Sequence, residues 1–261
     1  MPSQIVPPPD VPYFDRVVRG EISGASVVHK FGRNPTTASG TWETVWTVSS
    51  LYTFQTAASA VEAFSGSGND SAGGTGAQKI MVEGLDETWA AASEEITMAG
   101  VSASTATTTT FIRIFRAYVT DVGTYQGGNA GTITIRDSGA GATRAQIPID
   151  GANRLGQTQM AMYTVPLGKQ AFIRHVVVTV ESTKAADFAL FQRRNADDAT
   201  TPFTGKRLIA YMDGVTEAFY FNDVDGPFGP YPAKTDLWFE VKASAVNTEV
   251  TADFELLVID A

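Results

Sequence analysis

Apolar and polar residues alternate with a period of two in many short segments, the pattern of half-buried β-strands. The clearest case is Tyr163–Glu181. It turns at Pro166-Leu167-Gly168 and then runs through Val, Ile, Phe and Thr, residue types that suit a pleated surface. Strict alternation puts Phe172, Arg174, Val176, Val178 and Val180 on one face, with Ala171, Ile173, His175, Val177, Thr179 and Glu181 on the other. Both faces carry apolar groups, which predicts a central strand covered on each side. In the first half the longest such run is Thr109–Thr120, with Phe111, Arg113, Phe115, Ala117 and Val119 sharing a face.

Further strands are expected at 41–48, 78–83, 93–98, 132–135, 145–149, 157–165, 187–194, 207–212 and 218–221. A final hairpin is expected from 236–243 and 251–259. Pro148 marks an edge or strand end, since it cannot donate to a ladder. Residues 13–40 give mixed signals around a turn at Gly32-Arg33-Asn34-Pro35; the only helix candidates are Ala57–Ala63, where a short strand ending in Val61 and Ala63 is the alternative, and Glu87–Ser93. Many short strands at close, turn-marked intervals predict an all-β chain: an antiparallel β-sandwich or jelly roll. The predicted organisation is an extended Pro-rich arm over 1–12, a first sandwich half over 13–155 and a second over 156–261, as two halves or one continuous domain.

Composition narrows the functional classes. The 261 residues are long enough for a substantial core, and charged residues make up only 18%. The outer faces must therefore be finished with Thr, Ser, Asn, Gly and Ala. A net charge of −9 lacks the clustered cations that bind nucleic acid, and it is repelled by anionic membranes. No apolar run reaches the length of a membrane-spanning helix, and the first ten residues lack the basic and apolar regions of a secretory signal. With no cysteine, disulfides, thiolate catalysis and Cys-ligated metals are excluded.

Candidate chemistry is sparse. Ser65–Gly76 is rich in Gly and Ser but lacks the Gly-Lys-Ser/Thr and G-x-G-x-x-G spacings of phosphate cradles, so it reads as a surface loop. His29 and His175 are the two histidines, and without a G-x-S-x-G elbow His175 reads as a structural strand residue. Neither Glu94-Glu95 nor Asp197-Asp198 is more than an acidic chain produces by chance. Asp223-Val224-Asp225-Gly226 matches a fragment of a calcium loop without its closing Glu, and reads as a turn. The chain is therefore expected to be no enzyme and to hold no cofactor or metal. Trp42, Trp46, Trp89 and Trp238 are available as sugar-stacking platforms; Trp46 and Trp238 read as core.

Several segments carry a resemblance. Tyr163-Thr-Val-Pro-Leu-Gly-Lys-Gln-Ala-Phe172, Pro232-Ala-Lys-Thr-Asp-Leu-Trp-Phe239 and Asn247–Ile259 resemble uncharacterised virion structural proteins of tailed bacteriophages, especially marine ones. Gly84-Leu-Asp86, Glu95–Gly100, Phe111–Ala117 and Gly128–Ile135 are similar to the same group, so the resemblance covers roughly 78–260. These are turn and strand patterns, and they bring no active-site residue with them. The resemblance implies a virion component, assembled in the host cytoplasm. Its expected role is a capsid decoration or cement protein that stabilises the head shell by bridging subunits. The expected partners are copies of itself and other virion proteins, the major capsid protein first, with no nucleic acid and no membrane. The expected capsid contact is the arm, through Pro7, Pro8, Pro9 and Tyr13. The alternative is a tail, neck or fibre component that binds host surface glycans, with Trp89 as the stacking residue.

Overall fold

The computed structural model describes residues 11–151, 153–222 and 228–261, and it is nearly all β with antiparallel sheets. Two long terminal strands close the chain on itself. β1 (Ala25–Thr37) pairs with β18 (Thr248–Asp260), from Ala25 opposite Ile259 to Thr37 opposite Thr248. The first sheet runs β1-β18-β12-β15, where β12 is Lys169–Val180 and β15 is Ala218–Asn222; β16 (Phe228–Tyr231) also pairs with β12. The second sheet runs β11-β17-β13-β14: Met162–Thr164, Asp236–Ala243, Ala186–Arg193 and Arg207–Val215. The short β2 (Trp42–Thr44) pairs with β17 as well.

These two sheets enclose one core. Ile173, Val176, Val178, Phe254 and Leu256 enter it from the first sheet, and Phe188, Leu190, Leu237, Phe239 and Val241 from the second. Phe239 and Phe254 meet across it with ring centroids 5.7 Å apart. Burial of such aromatics is the main stabilising term in a core.

Residues between β2 and β11 build two smaller sheets. One is β3-β7-β8 (Val61–Ser65, Ile133–Asp137, Thr143–Ile147), and the other is β5-β4-β6 (Ala91–Thr97, Ala77–Asp86, Phe111–Val122). β9 (Ile149–Asp150) and β10 (Asn153–Arg154) form a separate pair. Val61, Ile133 and Ile135 meet Ile80, Val82 and Phe111 in a second core. That core also takes Trp46, Met160, Met162 and Trp238, so β17 sends Trp238 into the second core while Leu237, Phe239 and Val241 face the first. Trp46 and Trp238 are buried, as the sequence predicts.

The alternation in β12 breaks once. The register against β18 shifts between Ile173 and His175, a bulge that turns Val176, Val178 and Val180 onto the face of Ala171 and Ile173. Phe172 and Arg174 thus part from those valines, because one extra residue flips everything beyond it. All five inner residues are buried, whereas the outer ones are half-buried.

Other expectations also change. Residues 25–37 form one strand straight through Gly32 and Asn34, where a turn was expected. β1 therefore pairs with the last strand of the chain, so the first sheet draws on residues from both sides of 155. Neither helix candidate is a helix: 57–63 runs into β3, as its strand alternative has it, 87–93 runs into β5, and the described helix is α1 (Tyr13–Val18). Phe14 of α1 lies under the Arg174 guanidinium, 3.6 Å from ring centroid to Cζ. β17 and β18 do not form a hairpin, because each pairs within a different sheet and both face the same core. The strand expected over 157–165 is reduced to β11. The Asp223–Gly226 turn lies outside the described residues.

Candidate functional site

Three features stand apart from ordinary core and surface. The first is a cleft of about 610 Å³ where β1 meets β6. Its walls include Val28, Lys30, Glu83, Phe115, Arg116, Gln157, Thr158, Tyr163 and Pro166. Alternation along β1 turns Lys30 inward between Val28 and Gly32, and only 7% of it is exposed. Its Nζ donates to the carbonyl oxygen of Phe115 and lies 5.5 Å from the centre of that ring.

No carboxylate lies within ion-pairing distance of Lys30 among the described residues. Arg116 is held by Glu83 at 3.7 Å and stacks on Tyr118, whose hydroxyl donates to Glu83 at 3.2 Å. Burial, and then the neighbouring Arg116 charge, push the Lys30 ammonium down to about 7, against a smaller opposing pull from Glu83. Burial also pushes the Tyr163 phenol well above its usual range, and its ring packs 5.0 Å from that of Phe115. Chemically, the cleft offers an amine that carries a free electron pair near neutral pH.

The second feature is an apolar edge. Among the described residues β15 ends the first sheet and β14 ends the second, and the chain passes directly from one to the other. Leu208, Tyr211, Phe219, Tyr220 and Phe228 are between 42% and 70% exposed there. Phe221 and Phe228 meet edge to face at 5.1 Å. β15 reads Ala-Phe-Tyr-Phe-Asn and has no charged side chain. Exposed, uncharged, aromatic edge strands invite pairing with another chain.

The third feature is a buried ion cluster joining the two cores. Asp236 of β17 is fully buried and accepts from Arg113 of β6 at 2.8 and 3.0 Å, from Arg193 at 3.0 and 2.5 Å and from Thr164 at 2.7 Å. The Phe54 ring lies 5.1 Å from the Arg113 guanidinium and 4.9 Å from that of Arg193. Its donors and acceptors are satisfied internally, so it is a strut and not a reactive site.

The structure scatters the residues singled out from sequence. Pro7, Pro8 and Pro9 lie outside the described residues. Tyr13 opens α1 and is half exposed. Trp89 is a correction: only 7% of it is exposed, because its left-handed backbone (φ 67°) turns the indole inward under Arg113, 4.9 Å away. A buried ring cannot stack on a sugar. His175 sits on the outer face of β12, opposite Glu255 of β18, and His29 flanks Glu255 on the other side. His29 shares a hydrogen bond with Asp253 at 2.7 Å. Lys30 escaped notice because Gly32 and Pro35 read as a turn; a lone Lys between Val28 and Gly32 on one strand face was the signal that could have found it.

No protein-family model matches the chain. No curated protein matches it either. Among solved structures, the mitogen from Yersinia pseudotuberculosis aligns with 39% of this chain and 85% of its own length, at 12% identity and a TM-score of 0.18. A likeness that low carries neither fold nor function.

Proposed function

We propose that the chain is a non-enzymatic structural subunit of a phage virion, a decoration or cement protein of the head, that bridges neighbours through the aromatic edge of β14, β15 and β16. The observation that carries this reading is the exposure of Leu208, Tyr211, Phe219, Tyr220 and Phe228 at the last described strands of both large sheets. The occupant of that edge is a second copy of this chain. Each copy carries a net charge of −9, so two copies repel wherever their acidic surfaces meet. β15 is uncharged and lets them approach. In this reading the first two sheets are the leaves of a jelly-roll sandwich, and residues 1–12 contact the major capsid protein.

The glycan-binding alternative loses its named platform, since Trp89 is buried. Sedimentation velocity of the full chain at about 10 µM, where a micromolar contact is largely formed, tests the edge. The wild type should sediment as an oligomer, and Tyr220→Lys should shift it towards monomer with an unchanged circular dichroism spectrum. A wild type that is monomeric at that concentration overturns the edge contact.

A further inference from the structure

We propose that Lys30 is a carbonyl-reactive amine: the cleft between β1 and β6 admits a small uncharged aldehyde, and Lys30 Nζ captures it as an imine. This goes beyond the assembly role, and it rests on different residues. The cleft, at about 610 Å³, falls in the range of small-molecule sites. Val28, Phe115, Tyr163 and Pro166 give it apolar walls, and Gln157 and Thr158 supply polar groups.

The amine itself has unusual surroundings. A lysine buried in a fold is normally paired with a carboxylate. Among the described residues Lys30 has instead a single carbonyl partner, Phe115, while the nearby Glu83 is engaged by Arg116 and Tyr118. A neutral amine needs to give only one N–H to Phe115, which leaves its lone pair available. Desolvation and the Arg116 charge both favour that neutral form. A simple anionic ligand fits less well, because it needs the charged form that burial opposes, and it meets Glu83 in the same cleft.

The step balances without a further reactant. The Nζ lone pair forms a bond to the carbonyl carbon, and the C=O π pair moves to oxygen, which takes up a proton. The nitrogen releases a proton from the resulting carbinolamine. The hydroxyl then takes up the proton that remains on nitrogen and leaves as water while the C=N double bond forms. Amine plus aldehyde gives imine plus water, with no change in oxidation state.

The test is reductive alkylation of the folded full-length chain at pH 7 with propanal and sodium cyanoborohydride, mapped by peptide mass spectrometry over time. Lys79 is the internal reference: it is more exposed than Lys30, and its hydrogen bond to Glu95 raises its pKa. Lys30 should be alkylated roughly tenfold faster than Lys79 in the folded chain. That preference should vanish in guanidinium, where both are ordinary lysines. Labelling of Lys30 that is equal to or slower than that of Lys79 in the folded chain overturns the proposal.

Discussion

Arg113 lays its guanidinium side-on across Asp236, Nε to Oδ1 at 2.8 Å and Nη2 to Oδ2 at 3.0 Å, over a separation of 123 residues. Both side chains are essentially inaccessible to water. β6 belongs to the inserted pair of small sheets and β17 to the second large sheet, so the pair ties the two cores together. Removing Arg113 leaves the buried Asp236 with Arg193 and Thr164 as its remaining partners and strips Oδ1 of its charged donor. Arg113→Met should therefore lower the unfolding free energy by about 3 kcal/mol in chemical denaturation, since Arg193 still offsets part of the Asp236 charge. Arg193→Met should cost less, since the Arg193 side chain is 28% exposed and water replaces part of its role. Equal effects of the two substitutions would contradict the asymmetry.

Lys30 gives a pH dependence of definite sign. Its pKa is about 7 in the folded chain against an ordinary 10.5, so between those values the unfolded chain binds the extra proton. Stability from this group therefore rises as pH increases through that window. Below about 7 the folded chain carries the full penalty of a charged, buried amine. Lys30→Met removes it and gives up one hydrogen bond to Phe115. The variant should be more stable than wild type by about 3 kcal/mol at pH 6, a gain that shrinks towards zero near pH 10. Denaturant titrations at the two pH values check this, and a pH-independent difference would contradict it.

Gly32 and Gly20 separate two reasons for glycine. A Cβ at Gly32 would collide with the Ala161 nitrogen and the Val45 carbonyl, where β1 is crossed closely by neighbouring backbone. Gly32→Ala should cost about 2–3 kcal/mol through overpacking. Gly20 has open space around it and a left-handed backbone at φ 72°, so Gly20→Ala should cost only about 1 kcal/mol. Thermal melts of the two variants should fall in that order.

The Gly/Ser loop is held by Asp70, which is fully buried. Its carboxylate accepts from the Ala77 and Ala130 amides at 2.7 Å, the Gly131 amide at 2.9 Å and the Ser65 hydroxyl at 2.5 Å. Asp70→Ala orphans the buried amides of Ala77 and Gly131 and the half-buried one of Ala130, and should destabilise the chain by about 3 kcal/mol. Hydrogen exchange at Ala77, Ala130 and Gly131 should accelerate together, and protection unchanged at these amides would refute the anchoring role.

The contrast between Asp70 and its loop shows how far the sequence reaches. Glycine and serine content announces a loop, but nothing local says that an aspartate within it will be buried by a segment sixty residues away. The same holds for Asp236, whose partners lie at Arg113, Thr164 and Arg193. Period-two alternation made the β class and most strands legible. It failed at the β12 bulge, where a single residue exchanges the faces. It failed again at β1, because Gly32 is there for close backbone approach, not for a turn. Pairing of β1 with β18 is invisible locally, because its partners lie more than two hundred residues apart. Trp89 shows the limit for sites: its burial follows from a left-handed residue in a turn and an arginine on another strand.

The most direct test of the proposed role is the copy number of the chain in purified particles, counted by quantitative mass spectrometry against the major capsid protein. A head decoration protein that bridges copies of itself should be present on the order of hundreds of copies per particle. About a dozen copies would move it to the neck or tail, and its absence from purified particles would contradict a virion role altogether.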